Sequence, residues 1–472
     1  MNNNIKEMIH KGILIAGRLD EHKGFYSFIR LPIEEVEQLD DSVIAFATRS
    51  MGRSVFQVEP NGKIRNVKGI DTHFKNEENA VNVLSQAKEV FLTTDGRGYE
   101  ESTHPINLTI FPGEKPDIRI RGASPFEDLK IEEDVNGRLE KIGVKVPKIK
   151  SVKEYPSEIA EKIGLPIKIA IGPGEVRNET INEFFKRKGI YLSPVFSRFA
   201  SENGFTIDDF TSYVDKTYPE GQNYGQTIRI LDSPFRISDI EYYLKLGDKE
   251  KVNLIAEFTN ETMGTDFENV FASSLGTNLA LMMNTGWTFE NLDHRQDYTL
   301  AGEMTDDSYF NLPVRLQQLR QELRSDPGKF EALSKDLIEH FYTGIFLMSS
   351  NIKVLKDEME LRGKGPEEIS AMINSFTKSF TEKVDYRQIA QVFGTTAEDI
   401  EKKFKIMLGK RRDYPKILAS ARRPNGKVYD EQVLLAHQGN NDFYNEIAGS
   451  IANELHLTHS IEQDDSHLED LE

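Results

Sequence analysis

The chain has 472 residues and a formal net charge of −18. That length exceeds what one hydrophobic core supports, so two or three structural units are expected, and 38% hydrophobic residues with 28 Phe and 16 Tyr suffice to build them. The acidic balance argues against nucleic acid as a partner, and the absence of cysteine excludes disulfides, thiolate metal sites and cysteine nucleophiles.

From the N-terminus, Met1 to Gly17 holds only a short apolar patch, Gly12 to Gly17, with no signal-peptide core or cleavage site. No apolar run approaches a bilayer span. The expectation is a cytoplasmic protein with no membrane contact. Val43 to Ala47 and Val55 to Val58 carry strand-type residues. Pro60-Asn61-Gly62 is a turn signal, and Lys63 to Val67 follows it, so a hairpin is predicted. Glu77 to Phe91 reads as a helix running into a strand. Ile118-Arg119-Ile120-Arg121 alternates apolar and basic residues, as a half-buried strand does. Glu127 to Ile142 is helical in character, and Val144 to Ile149 resembles a further strand. Ile171 to Gly174 reads as a loop, and Gly221 to Gly225 is polar and turn-prone. From Asp239 onward helices dominate. Phe267, Val270, Phe271, Leu275 and Leu279 fall on one helical face. Residues 311–456 read as amphipathic helices with breaks at Pro327-Gly328, Gly363 to Pro366 and Pro424-Asn425-Gly426. The last fifteen residues carry six acids and no Lys or Arg, a solvated tail.

The stretch from Asp297 to Asp306 carries the chemistry. Tyr298 to Leu300 suits a strand, Ala301-Gly302 a tight turn, and Glu303 to Thr305 the return. Such a hairpin brings two carboxylates to one end. Paired hard oxygens repel unless a cation lies between them, and they suit Mg²⁺ carried by a nucleotide. A helix, a loop and a metal hairpin make the metal site of a kinase-type C-lobe. The strand, helix, strand order around Arg121 is the layout of a kinase-type N-lobe. Serine-hydrolase, zinc-protease and Walker signatures are absent.

The order of these motifs resembles the selenoprotein O family, whose members have a protein-kinase-like fold and transfer AMP to protein hydroxyls. Asp95-Gly96-Arg97-Gly98 is similar to the family's DGRA stretch. Ile118 to Ala123 resembles its LQLKGA strand, and Pro125 echoes the TPYS that follows. Arg229 to Arg236, then Asp239 to Tyr243 and Gly247 to Glu250, resemble R-V-x-x-S-F-L-R-F-G-x-F-E-Y-F…G-D-x-E, with the spacing of the two arginines kept. The hairpin resembles N-M-S-I-x-G-x-T-I-D, with Asp297 and Asp306 on the metal-ligand positions. The likeness runs from about Asp95 to Asp307.

The resemblance implies an α+β, bilobal, protein-kinase-like fold. Residues 1–150 would be a strand-rich N-lobe, 151–310 the C-lobe core, 311–457 a helical extension and 458–472 the acidic tail. ATP would be held by Asp95, Gly96, Arg97, Gly98, Arg121, Gly122, Arg229 and Arg236. Glu132, beside Glu133, would steady the N-lobe cation, and Mg²⁺ would lie on Asp297 and Asp306. Three positions depart from the family pattern. Its N-lobe Lys becomes Arg121, a flat fork in place of a point charge. Its metal Asn becomes Asp297, which adds negative charge to the metal site. Its general-base Asp becomes Gln296, an amide that takes no proton at neutral pH. Asp293 and His294 lie close enough in sequence to substitute, as does Asp307. Without that base, a carboxylate nucleophile becomes an alternative to a hydroxyl, since it is already ionised. The implied functions are therefore AMP transfer to a protein or peptide, an acyl-adenylating ligase acting on a peptide or small molecule, or a nucleotide-binding pseudokinase scaffold.

Overall fold

The computed structural model describes residues 2–31, 33–48, 54–74, 106–109, 117–120, 124–156, 168–171, 176–180, 223–289, 295, 297–305, 310–311, 327–409, 413, 416 and 439–455. They form a mixed α+β protein in two units. One comprises Met1–Asp134 with Pro147–Thr262, the other Val135–Val146 with Met263–Glu472.

The first unit is built on a mainly antiparallel sheet. Helix α1 (Asn2–His10) precedes β1 (Ile15–His22), β2 (Phe25–Arg30), the short α2 (Ile33–Val36), β3 (Ile44–Ala47), β4 (Ser54–Val58), β5 (Ile64–Lys68) and β6 (Asp71–Phe74). β7 (Ile106–Thr109) and β8 (Asp117–Ile120) form a separate ladder. β9 (Ser124–Pro125) leads into α3 (Phe126–Lys141). β10 (Lys148–Glu154), β11 (Lys168–Ile171), β12 (Val176–Thr180) and β13 (Tyr224–Leu231) complete the strands of this unit. The spatial order is β10-β13-β5-β4-β3-β1-β2-β6-β11-β12, with β9 on β13. β6 runs parallel to both β2 and β11. Helices α4 (Ile237–Lys245) and α5 (Lys249–Met263) follow β13.

The hairpin expected at Pro60-Asn61-Gly62 is present. β4 and β5 pair antiparallel from Ser54↔Lys68 to Val58↔Ile64. The Gly62 N–H donates to Glu59 O at 2.8 Å and closes the turn. Val55 and Val67 enter the core beside Phe28, Ala45 and Ile70. Each such side chain contributes about 1.5–3 kcal/mol on full burial. The strand expected at Val144 to Ile149 starts later, at Lys148. Val144 to Pro147 lies outside any strand, and Pro147 has no N–H to enter a ladder.

The second unit is helical. Its elements are α6 (Phe267–Thr285), the strand pair β14 (Thr288–Phe289) and β15 (Phe310–Asn311), then α7 (Pro327–Arg362), α8 (Pro366–Lys383), α9 (Tyr386–Phe393), α10 (Ala397–Gly409) and α11 (Asn441–Glu454). Rather than one apolar stripe, α6 buries most of its circumference. Phe267, Phe271, Leu275 and Leu279 are buried as expected, and so are Ala272, Gly276, Ala280 and Met283. Val270, placed on the stripe from the sequence, is only partly buried. The reason is α8, which lies so close that a Cβ on Gly276 would meet Phe376 O at 2.3 Å. Asn284 ties the end of α8 to the start of α9. Its Nδ2 donates to Lys383 O at 2.7 Å, and its Oδ1 accepts the Asp385 N–H at 2.8 Å. The expected break at Gly363 to Pro366 separates α7 from α8, with Pro366 in the first helical turn, where its missing N–H costs nothing. Pro327-Gly328 opens α7.

Among the described residues no helix is long and apolar enough to cross a membrane. Ile171, expected to open a loop, ends β11; the expectations for Glu77 to Phe91, the rest of that loop to Gly174, Pro424 to Gly426 and the acidic tail lie outside the described residues.

Candidate functional site

Two groups of residues stand out, one in each unit. In the first unit the group is built on β5, β13 and α3. Alternation along β5 puts Ile64, Asn66 and Lys68 on one face. β13 lies antiparallel to β5 with Arg229 directly opposite Asn66. Cβ atoms of directly opposed residues lie within about 5.5 Å, so the Arg229 Nε–H reaches Asn66 Oδ1 at 2.9 Å. On α3 the buried side chains are Leu129, Glu132, Val135, Asn136 and Leu139, at helical spacing. Glu132 therefore lies within an apolar stripe, while Glu133 points to solvent. The helix period thus buries Glu132 and leaves Glu133 on the outer face.

Glu132 is 2% exposed, and each of its oxygens accepts from a cation. Arg229 Nη1 donates to Oε1 at 2.7 Å, and Lys68 Nζ donates to Oε2 at 2.8 Å. Burial of a carboxylate is costly unless its lone pairs are met, and here both oxygens are. Arg229 is only 1% exposed. From the sequence its neighbours Ile228 and Ile230 are the apolar candidates. In the fold Arg229 faces inward and both isoleucines are half-buried.

Arg236 is also buried. It sits at the N-terminus of α4, where its backbone N–H donates to Asp239 Oδ2 at 2.8 Å and its carbonyl accepts the Asp239 N–H at 3.0 Å. A carboxylate at this position meets both an orphan N–H and the positive end of the helix.

In the second unit the group is the hairpin that follows α6. Tyr298 and Met304 form an isolated antiparallel bridge, so the segment is a tight turn rather than a pair of strands. The Gly302 N–H donates to Thr299 O at 2.8 Å, and the Thr299 N–H to Glu303 O at 3.0 Å. The Thr299 hydroxyl donates to Glu303 Oε2 at 2.9 Å. Gly302 has φ +77°, and a Cβ there would meet Ser274 Cβ at 2.5 Å, so only glycine fits. At the open end the Thr305 N–H donates to Asp297 O at 2.8 Å, which closes the hairpin beside Asp297.

The turn is pinned from two directions. Lys145 Nζ donates to Ala301 O at 2.7 Å, and Lys145 O accepts the Met304 N–H at 3.0 Å. Asn278 on α6 accepts the Lys145 N–H at 2.8 Å and donates to Gly302 O at 3.3 Å. Asp297 is held 2% exposed on this scaffold. Trp287, the single tryptophan, is buried next to the end of α6.

Of the residues expected at the site, Glu132 and Arg229 are brought into contact. Arg236 lies in the same unit, and Asp297 lies in the other. Asp95, Gly96, Arg97, Gly98, Arg121, Gly122, Asp293, His294, Gln296, Asp306 and Asp307 lie outside the described residues. Lys68 and Asn66 were not foreseen. The available signal was the alternation of β5, which puts a lysine and an asparagine on the same face as Ile64. Among the described residues no three His, Cys, Asp or Glu cluster as a metal cage. Mg²⁺ does not need one, because it binds through one or two carboxylates plus substrate phosphates. A buried carboxylate on a braced hairpin fits that donor set. No protein-family model matches the chain, and no curated protein matches it.

Proposed function

We propose that this chain is an ATP- and Mg²⁺-dependent nucleotidyltransferase of protein-kinase-like fold that moves AMP from ATP to a protein or peptide acceptor in the cytoplasm. The observation that carries the proposal is the ion pair between Lys68 on β5 and Glu132 on α3, at 2.8 Å. In protein kinases a strand lysine paired with a helix glutamate must be in place for phosphoryl transfer. The surroundings support the same assignment. The strands β3, β4, β5, β13 and β10 form an antiparallel run, α3 follows β5 in sequence, and β10 and β13 lie beyond it. Lys68, at 20% side-chain exposure, is the member of its cluster that solvent reaches. It takes the phosphate-holding role that the family resemblance gave to Arg121.

Asp297, with Asp306 following Thr305 in sequence, supplies the carboxylates for Mg²⁺. The ion would neutralise charge on the phosphates and on the leaving pyrophosphate. In the reaction an acceptor oxygen forms a bond to the α-phosphorus, the bond from that phosphorus to the bridging oxygen breaks, and pyrophosphate departs. With a hydroxyl acceptor a base must take the proton, and Asp293 and His294 are the nearest candidates in sequence. Gln296 favours a second reading, in which the acceptor is a carboxylate and the product is an acyl-adenylate ready for amide formation.

Thermal unfolding with ATP, with and without Mg²⁺, tests nucleotide binding, because a ligand of the native state raises the melting temperature. A rise that needs Mg²⁺ and vanishes in Lys68→Met is expected. No rise at millimolar ATP would leave the scaffold reading instead. AMP stably attached to Ser, Thr or Tyr favours hydroxyl transfer. Release of AMP and pyrophosphate only in the presence of an amine favours the ligase.

A further inference from the structure

We infer that Arg229 is a positioning residue: together with Asn66 it locks the Glu132 carboxylate in the orientation that holds the Lys68 ammonium. The inference rests on the phosphate-holding role proposed for Lys68.

Asn66, Arg229, Glu132 and Lys68 form a continuous chain of side-chain hydrogen bonds. Arg229 Nε donates to Asn66 Oδ1 at 2.9 Å, Arg229 Nη1 donates to Glu132 Oε1 at 2.7 Å, and Glu132 Oε2 accepts from Lys68 at 2.8 Å. The terminal torsion of a glutamate is soft. Lysine is a point charge on a flexible stem, so a Lys–Glu pair alone fixes no orientation. A guanidinium is planar and rigid. Held by Asn66 through Nε, it fixes the carboxylate through Nη1. The partner sits on a neighbouring strand in register, so the brace is as rigid as the sheet.

Exposure divides the roles. Asn66, Arg229 and Glu132 are buried, and Lys68 retains 20% side-chain exposure. A ligand arriving from solvent meets the lysine, while the arginine works behind it. The family resemblance would make Arg229 a phosphate ligand; its burial and its hydrogen bonds to Asn66 and Glu132 favour the brace.

The test is competitive acetylation of the folded full-length chain with acetic anhydride. Labelling of Lys68 is read by mass spectrometry against Lys378, whose side chain is 69% exposed. Loss of the brace frees Lys68 Nζ from Glu132. Arg229→Met is expected to raise Lys68 labelling on the order of tenfold, the scale of one lost charge-assisted hydrogen bond. Asn66→Ala should raise it less, and Arg229→Lys should fall between wild type and Arg229→Met. In a Glu132→Gln background, Arg229→Met should add nothing, because the link it acts through is gone.

Unchanged Lys68 labelling in folded Arg229→Met overturns the inference. So does reduced ATP affinity in that variant with Lys68 labelling unchanged, which would make Arg229 a direct ligand. If Arg229→Met does not fold, Asn66→Ala and Arg229→Lys decide, and no change in either overturns it. Failure of the wild type to bind ATP would count against the proposed function, while the Lys68 response would still establish the brace.

Discussion

Glu358 gives a prediction with a worked magnitude. It lies on α7 with no exposed surface, and Arg362 Nη1 donates to its Oε1 at 2.8 Å. The same nitrogen donates to Glu268 Oε1, on α6, at 2.6 Å. One guanidinium thus serves two carboxylates, and Glu358 Oε2 is buried without a hydrogen bond. Burial pushes the Glu358 carboxyl from an ordinary 4.5 up to about 7. Arg362 and Lys364 oppose the rise, and Glu268 adds to it. The folded protein therefore keeps this proton up to about pH 7, whereas the unfolded chain releases it near 4.5. Between those values the folded state binds more protons, so stability falls as pH rises. At about 1.36 kcal/mol per pH unit of separation, the loss is roughly 3 kcal/mol, complete above pH 7. Glu358→Gln mimics the protonated form. In urea denaturation it should match the wild type near pH 4.5 and be the more stable protein at pH 8 by roughly that amount. A variant with the same pH slope as the wild type, or one destabilised equally at every pH, would refute the reasoning.

Other outcomes follow from the two site groups and the helical core. Asp297→Ala should abolish any Mg²⁺-dependent rise in melting temperature with ATP, whereas Asp297→Asn keeps an oxygen ligand and should retain part of it; titration calorimetry with Mg²⁺ and ATP reads the difference. Lys145→Met leaves the buried Ala301 carbonyl without its 2.7 Å donor, and should cost about 1–3 kcal/mol in chemical denaturation. Gly276→Ala drives a methyl into Phe376 O at 2.3 Å, and should cost about 1–3 kcal/mol or more through forced separation of α6 and α8. Glu132→Gln should weaken ATP-dependent stabilisation as Lys68→Met does, since each removes one half of the same ion pair.

Local signals in the sequence suffice where the chain settles its own structure. Pro60-Asn61-Gly62 between two strand-type runs marks the β4–β5 hairpin, and the helical character of Glu127 to Ile142 matches α3 within a residue at each end. Boundaries shifted where tertiary contacts overrode pattern. Val144 to Val146 carries strand-type residues, but Lys145 spends its backbone on Asn278 and Met304, so no strand starts there. The stripe on α6 was visible, and its second buried face was not, because small residues such as Ala272 and Gly276 carry no periodic signal until α8 is known to pack on them.

The group around Glu132 was only half legible. Glu132 and Arg229 each stand out in the sequence, but nothing there joins them to each other or to Asn66 and Lys68, which lie far away in the chain. Arg229 and Asn66 are 163 residues apart, and Lys68 and Glu132 are 64 apart. Strand register brings the first pair together, and a single sequence offers no means to read it. Lys68, at a strand end before Gly69, carries no local mark that separates it in the sequence from an ordinary solvated charge. Burial on α3 is what distinguishes Glu132 from Glu133, two residues with the same side chain.

The most direct measurement is incubation of the full chain with Mg²⁺ and either α-labelled or γ-labelled ATP in the presence of a lysate. Label from the α-phosphate should appear on acceptor, none from the γ-phosphate, and Lys68→Met should remove the signal. Transfer of the γ-label, or α-label transfer undiminished in Lys68→Met, would contradict the assignment of AMP transfer to this site.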